Sequence, residues 1–294
     1  MLCRPPWRSC GRLAAWLLYA LLAGCGQPSP LGKGVTALPE ELRELSGMVM
    51  VEQGLLACVQ DELGGVFFVD LSGARPTRGE AFGAAGDYEG IASTPDGLWV
   101  LRSDGALLHL TAGAHNLSVR DTYMMPFEGE FEGLCFDAEA NRLLVLPKGA
   151  IVGRRREKHR RRILGFDLAK MAPLSEPILT LKVDDVEEQI GALGLDAPRH
   201  KTKKGKQRVR LSLLGSELLV LPGGDLLLLL SKDQMLLRVD AKGDVVATTL
   251  LDTELFAQPE SMALMPDGRL LIGSEGRQRS ALVAVVEIPK AAGG

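Results

Sequence analysis

Pro259–Gly273 reads PESMALMPDGRLLIG, an apolar run, a Pro-Asp-Gly turn and a second apolar run. Two runs of strand length parted by turn residues are a β-hairpin signal. The arrangement recurs as ELSGMVMVEQGLLACV from Glu44, DYEGIASTPDGLWVL from Asp87, EFEGLCFDAEANRLLVL from Glu130 and GSELLVLPGGDLLLLL from Gly215. The Glu or Ser ahead of each first run serves as an anchor: Ser46, Glu89, Glu132, Ser216 and Glu260. Their spacings are 43, 43, 84 and 44 residues. Six residues after the anchor a turn opens, at Pro95, Pro222 and Pro266, with Glu52 and Ala138 at the same offset in the other two units. A period of this length marks stacked structural repeats.

Each unit carries a third apolar run: VFFVDL, ALLHL, ILGFDL, MLLRVD or ALVAVVEI. Several short strands per repeat, with almost no helical periodicity, predict an all-β, five-bladed β-propeller. The radial arrangement leaves few sheet edges exposed. The doubled gap leaves six blades as the alternative. It holds no second copy of the anchor-turn-strand pattern, so five blades with basic insertions in the third are expected. The inserts are GRRREKHRRR (Gly153–Arg162) and RHKTKKGKQRVR (Arg199–Arg210), the latter preceded by the helix-like DDVEEQIGALG. The run LLVLPGGDLLLLLS is split by Pro222-Gly223-Gly224-Asp225 into two strand lengths, a buried hairpin and not a membrane span.

The N-terminus reads as a processing signal. Arg4, Arg8 and Arg12 precede a short apolar segment, Leu13–Ala23. As a helix it reaches only about 16 Å, half of a hydrocarbon core. It ends in Leu22-Ala23-Gly24-Cys25, which resembles a lipobox, and Gly26-Gln27-Pro28-Ser29-Pro30 follows as a tether. The expected organisation is a lipoprotein signal over 1–24, a lipidated Cys25 with tether over 25–37, and a propeller over 38–290. An ordinary secretory signal that happens to contain Cys is the alternative. Two or three acyl chains make a stable anchor. Gly26, in place of the Asp that resembles an inner-membrane retention signal, favours the periplasmic face of the outer membrane.

The chain has 294 residues, 46% of them apolar, and a formal net charge of −3, which argues for a globular domain without general affinity for nucleic acid. Of five cysteines, Cys3 and Cys10 leave with the signal, so only Cys58 and Cys135 remain as expected buried thiols. No Gly-x-Ser-x-Gly elbow, phosphate loop or paired zinc-ligand Cys motif is present. His109, His115, His159 and His200 lack a nucleophile partner in sequence, which argues against a serine or cysteine hydrolase.

LSGM, DYEGIA, FEGL and PESMALMPDGRLLIGSEG resemble the SdiA-regulated (YjiK-like) proteins, exported propellers with five repeats and successive SG or EG motifs. The resemblance spans Leu38 to Ile288 and departs at Ser216-Glu217, where the family pattern has a glycine after the serine. It implies an exported propeller. By analogy, related propeller groups include metal-dependent phytase-like and lactonase-like hydrolases.

Equivalent positions of successive blades ring the propeller axis. Glu89, Glu132 and Glu260 should therefore converge with Ser46 and Ser216 at one end of the channel. A second set, Asp61, Glu62, Asp104, Lys148, Lys232, Asp233 and Glu275, follows the next strand. Such oxygens suit a hard cation, with Ca²⁺ the cofactor considered, or a small polar ligand or partner. Alternatively each Glu accepts backbone N–H bonds and locks the ring. A metal-dependent hydrolase using the same ring is the rival activity. Arg154, Arg155, Arg156, Arg160, Arg161 and Arg162 form an anionic-surface candidate for lipid headgroups or lipopolysaccharide, with a solvated loop as the alternative. The absence of interleaved aromatics argues against single-stranded nucleic acid.

Overall fold

Four consecutive strands, each pairing antiparallel with the next, make one blade, and the chain repeats this unit around an axis. The computed structural model describes residues 34–73, 75, 77–113, 117–151 and 159–291. The proposed signal, Cys25, most of the tether, and Arg154, Arg155 and Arg156 lie outside them.

Strand β1 is Val35–Ala37. Blade one comprises β2 (Leu45–Glu52), β3 (Leu55–Gln60), β4 (Gly65–Asp70) and β5 (Arg78–Ala81). Blade two comprises β6 (Tyr88–Thr94), β7 (Gly97–Arg102), β8 (Ala106–Ala112) and β9 (Leu117–Met124). Blade three has β10 (Phe131–Asp137), β11 (Arg142–Pro147) and β12 (Arg160–Asp167). Its outer position is shared by β13 (Ala172–Pro173) and β14 (Leu179–Lys182), both on β12. Helix α1 (Val183–Leu193) and a hairpin of β15 (Arg199–Lys201) and β16 (Gln207–Val209) follow. Blade four is β17 (Glu217–Val220), β18 (Leu226–Leu230), β19 (Met235–Val239) and β20 (Val245–Leu250). Blade five is β21 (Pro259–Leu264), β22 (Leu270–Ser274) and β23 (Leu282–Val286), completed by β1.

The first strands β2, β6, β10, β17 and β21 contact one another in sequence and close the inner ring. Five blades are present, as expected. The first basic insert falls within blade three, whereas the second lies between blades three and four. The propeller also begins earlier than the boundary at 37/38. Val35 pairs with Ala284 and Ala37 with Leu282, so part of the expected tether is the outer strand of the last blade.

Strand hydrophobicity follows from what lies on each side. Five apolar clusters of the described residues occupy the five seams between neighbouring blades. Inner strands therefore face apolar neighbours on both sides and need no polar alternation. Leu226–Leu230, five leucines in a row, is buried throughout. The seam between blades three and four also receives Val183, Val186 and Ile190 from α1. Cys58 and Cys135 are buried free thiols, and burial pushes both up to about 12. They are inert packing groups.

The ring has two distinct ends. The hairpin turns after each first strand, such as Pro266-Asp267-Gly268, mark the turn face. The anchors and the loops after each second strand mark the opposite, mouth face. Strand β1 runs from the turn face toward the mouth, with Gly34 O accepting the Val285 N–H at 3.0 Å. The first described residue, Gly34, therefore lies at the turn face.

Candidate functional site

The anchors share a backbone irregularity. Pairing between first and second strands skips one residue between Leu45 and Gly47, Tyr88 and Gly90, Phe131 and Gly133, and Pro259 and Ser261. The skipped residues are Ser46, Glu89, Glu132 and Glu260. A bulge leaves one residue unpaired and re-aims its side chain. Four blades thus use one local device to present an anchor at the mouth. In blade four Ser216 lies just before β17, its N–H bonded to Leu229 O at 2.9 Å.

The residue after each anchor explains the recurrent glycine. A Cβ on Gly47 would lie 2.9 Å from Gly90 Cα, and one on Gly90 would lie 2.8 Å from Leu134 Cβ. Successive inner strands touch through these positions. At the next step the pattern breaks. Glu217 takes the glycine position, and its Oε1 accepts N–H bonds from Leu134 at 3.1 Å and Leu218 at 2.9 Å. Complete burial raises its carboxyl well above the ordinary range. The departure noted at Ser216-Glu217 is therefore a buried carboxyl bridging two blades.

At the mouth the structure links Glu89 to Glu132, Glu132 to Glu260 and Glu260 to Glu275 by successive charge repulsions. Burial, the Glu132 charge and a hydrogen bond to Asp87 push Glu89 up to about 9, against the lowering pull of Lys148. Burial pushes Glu132 up to about 7 although Lys148 Nζ lies 2.6 Å from its Oε1. Burial, then Glu260, Asp61 and Glu44, push Glu275 up to about 7. Asp61 rises to about 6 through burial and the charges of Glu44, Glu62 and Asp87. The burial of Lys148 opposes its charge, but the hydrogen bond to Glu132 and the surrounding carboxylates hold its ammonium above the ordinary value. Glu260 accepts a hydrogen bond from Ser231 Oγ at 3.2 Å.

Other expected members sit elsewhere. Asp104 is exposed and bonded to Arg102 at 2.6 and 2.9 Å, which holds its carboxyl below the usual range. Asp233 accepts bonds from Ser212 N, Ser212 Oγ and Leu213 N at 2.8–2.9 Å, clamping the end of the insert. Glu62 and Lys232 are exposed. Ser46 is buried, its Oγ 3.3 Å from Glu44 O.

The backbone shows which residues are equivalent. The N–H groups of Asp61, Ser103, Lys148 and Glu275 donate to the carbonyls of Glu44, Asp87, Glu130 and Gln258, each two residues before its anchor. Ser103, whose Oγ bonds the Asp87 carboxylate, and Ser231 were missed because the second set was chosen by charge. Position immediately after the second strand was the available signal.

Among the described residues, no group of three His, Cys, Asp or Glu side chains is arranged to hold a metal ion. The mouth is a partly protonated carboxyl cluster with one lysine inside it. Such a group can accept a cation, donate hydrogen bonds to a polar ligand, or move a proton near neutral pH.

The basic candidate also divides. Arg160 is exposed, whereas Arg161 is committed: its Nε donates to Leu213 O and its second guanidinium nitrogen to Ser212 O, both at 2.7 Å. Burial lowers its pKa, with Asp233 opposing. Arg162 is half-buried and also engaged.

No known sequence family matches the chain, and no curated protein does. Solved structures match the fold. Glutaminyl cyclase of Myxococcus xanthus aligns with a TM-score of 0.52 at 18% identity, over 86% of this chain and 97% of that one. The calcium-binding protein regucalcin of Agrobacterium tumefaciens aligns with a TM-score of 0.53 at 12% identity, over 88% and 95%. At these identities the likeness establishes the propeller alone.

Proposed function

We propose that the chain is an exported, lipid-anchored envelope protein of the SdiA-regulated type, whose propeller binds a small cationic or polar ligand at the mouth. One observation carries the ligand reading. Bulges deliver carboxyls from blades two, three and five to the mouth, where together with Glu275 they outnumber the two cations that act on them, Lys148 and Arg277. Burial first, and then repulsion from neighbouring carboxylates, raises Glu89, Glu132 and Glu275, so each favours a partner that neutralises it. An entering cation would replace protons as the neutralising charge. Strand β1 begins at the turn face, so Gly34 enters the fold at the end opposite the mouth.

Metal-dependent hydrolysis would need several protein ligands around an open coordination position. No such set of three occurs among the described residues, so binding is the better-supported reading. Melting of the protein with Ca²⁺, with a short alkyl diamine and with chelator tests it. The diamine, which needs no metal-ligand set, should raise Tm with concentration, Ca²⁺ should do so less, and Glu89→Gln with Glu132→Gln should remove the response. A Tm indifferent to both cations would discard the mouth as a cation site. The anchor is tested separately: Cys25→Ser should abolish lipidation and detergent-phase partition.

A further inference from the structure

We infer that the β15–β16 hairpin, with the end of α1 beside it, docks onto an anionic phospholipid bilayer, a contact separate from the mouth. Residues 199–210 hold seven Lys or Arg and no Asp or Glu, in a chain whose net charge is −3. Positive charge is therefore segregated into this element. Lys201, Lys203, Lys204, Lys206, Arg208 and Arg210 are exposed, and among the described residues none forms an ion pair. Only Val209 of the two strands is buried.

The hairpin is firmly footed, which separates it from a solvated charged loop. Arg210 N donates to Pro198 O at 3.0 Å, closing its base. Leu211 N donates to Glu187 Oε1 at 2.8 Å, tying the return limb to α1. Asp233 and Arg161 then fix Ser212 and Leu213 from two sides. Ordering costs are met by the fold, so the ammonium groups are presented on a preset framework.

A bilayer fits better than a soluble polyanion because of Leu193. Val183, Val186 and Ile190 form the buried stripe of α1, and Leu193 is the next member of that stripe. It is 53% exposed. Asp184 and Asp185 lie at the other end of the helix, with Asp185 paired to Lys182 at 2.9 Å, and the two exposed acidic residues nearer in sequence, Glu188 and Asp196, are outnumbered by the seven cations of the hairpin. A cationic hairpin packed against a helix whose end bears one exposed apolar side chain matches headgroup phosphates above an acyl boundary. The hairpin contains no aromatic residue for base stacking.

The ring closes within residues 34–291, so the chain from Gly26 onward keeps the whole fold and lacks any lipid. It should float with vesicles of equal phosphatidylcholine and phosphatidylglycerol, not with phosphatidylcholine alone. Raising ionic strength from ~0.05 to ~0.5 M should release it. K203E, K204E and K206E together should lower partition at least tenfold, and Leu193→Ser several-fold. Lysine-to-arginine changes at the same three sites should preserve binding. These sites are exposed, so an unchanged Tm excludes misfolding as the cause. Equal flotation of wild type and the reversed variant overturns the inference, as does flotation with neutral vesicles. Capture by polyphosphate beads without vesicle binding overturns it in favour of a soluble polyanion. None of these outcomes depends on lipidation of Cys25.

Discussion

Glu217 Oε1 lies 3.1 Å from the backbone nitrogen of Leu134, across the seam between blades three and four. The corresponding seam between blades one and two is closed by Gly47 against Gly90. One joint of the ring is therefore made through a buried carboxyl where another is made through direct backbone contact. Glu217→Ala would leave the Leu134 N–H without this acceptor and should destabilise by about 1–3 kcal/mol. Glu217→Gln keeps an acceptor and removes the group that resists ionisation. In urea unfolding, the Gln variant should match wild type at acidic pH and exceed it at alkaline pH.

Glu89 gives the mouth a pH signature. Burial, Glu132 and Asp87 push its pKa up to about 9, far above the ordinary carboxyl range, so the folded state holds a proton that the unfolded chain releases. Stability is therefore fullest below the unfolded pKa and falls as pH rises toward the folded one. The slope from one such group is at most about 1.4 kcal/mol per pH unit. Unfolding measured from pH 5 to 9 should show this decline, and Glu89→Gln should flatten it. A profile of equal slope in both proteins would mean that Glu89 is ionised at the mouth.

Steric tests separate ring glycines from turn glycines. Gly90→Ala places a Cβ against Leu134 and the Glu132 carbonyl, at 2.8–3.1 Å, where backbone on both sides limits relief. The expected loss is about 1–3 kcal/mol. Gly54→Ala meets nothing within 4 Å and suffers only from its φ of 78°. About 1 kcal/mol is expected there. Thermal melts of the two variants should rank accordingly.

Asp233→Ala removes three bonds to Ser212 and Leu213 while leaving the β-ladders intact. Local rather than global opening is expected. Hydrogen exchange of residues 199–213 should accelerate strongly, while the Leu226–Leu230 amides keep their protection. Uniform acceleration through blade four would give Asp233 a global role.

The propeller was legible because turn chemistry and anchors recur at fixed offsets, and because the same bulge serves four blades. Leu226–Leu230 also read correctly once Pro222-Gly223-Gly224 was taken as a turn. The closing strand was not legible. Val35–Ala37 has only three residues, carries no anchor, and gains its identity from a partner at the other end of the chain. At the mouth, the convergence of Glu89, Glu132 and Glu260 followed from repeat symmetry. Asp104 and Asp233 were placed there by charge, yet each found nearer hydrogen-bond partners, the Arg102 guanidinium and the Ser212–Leu213 backbone. Periodicity reports where the backbone goes, but the fate of a side chain depends on contacts made between repeats.

The pairing of β1 with β23 also sets an order of events during synthesis. The strand that completes the last blade is made first, and its partner is made almost at the end. At 5–20 residues per second, roughly 10–50 s separate their appearance. Through that interval the apolar Val35 side of the chain has no place to go, and four blades accumulate with an open flank. A growing chain is therefore vulnerable until Leu282–Val286 emerges, and deletion of that strand would release both ends of the ring at once.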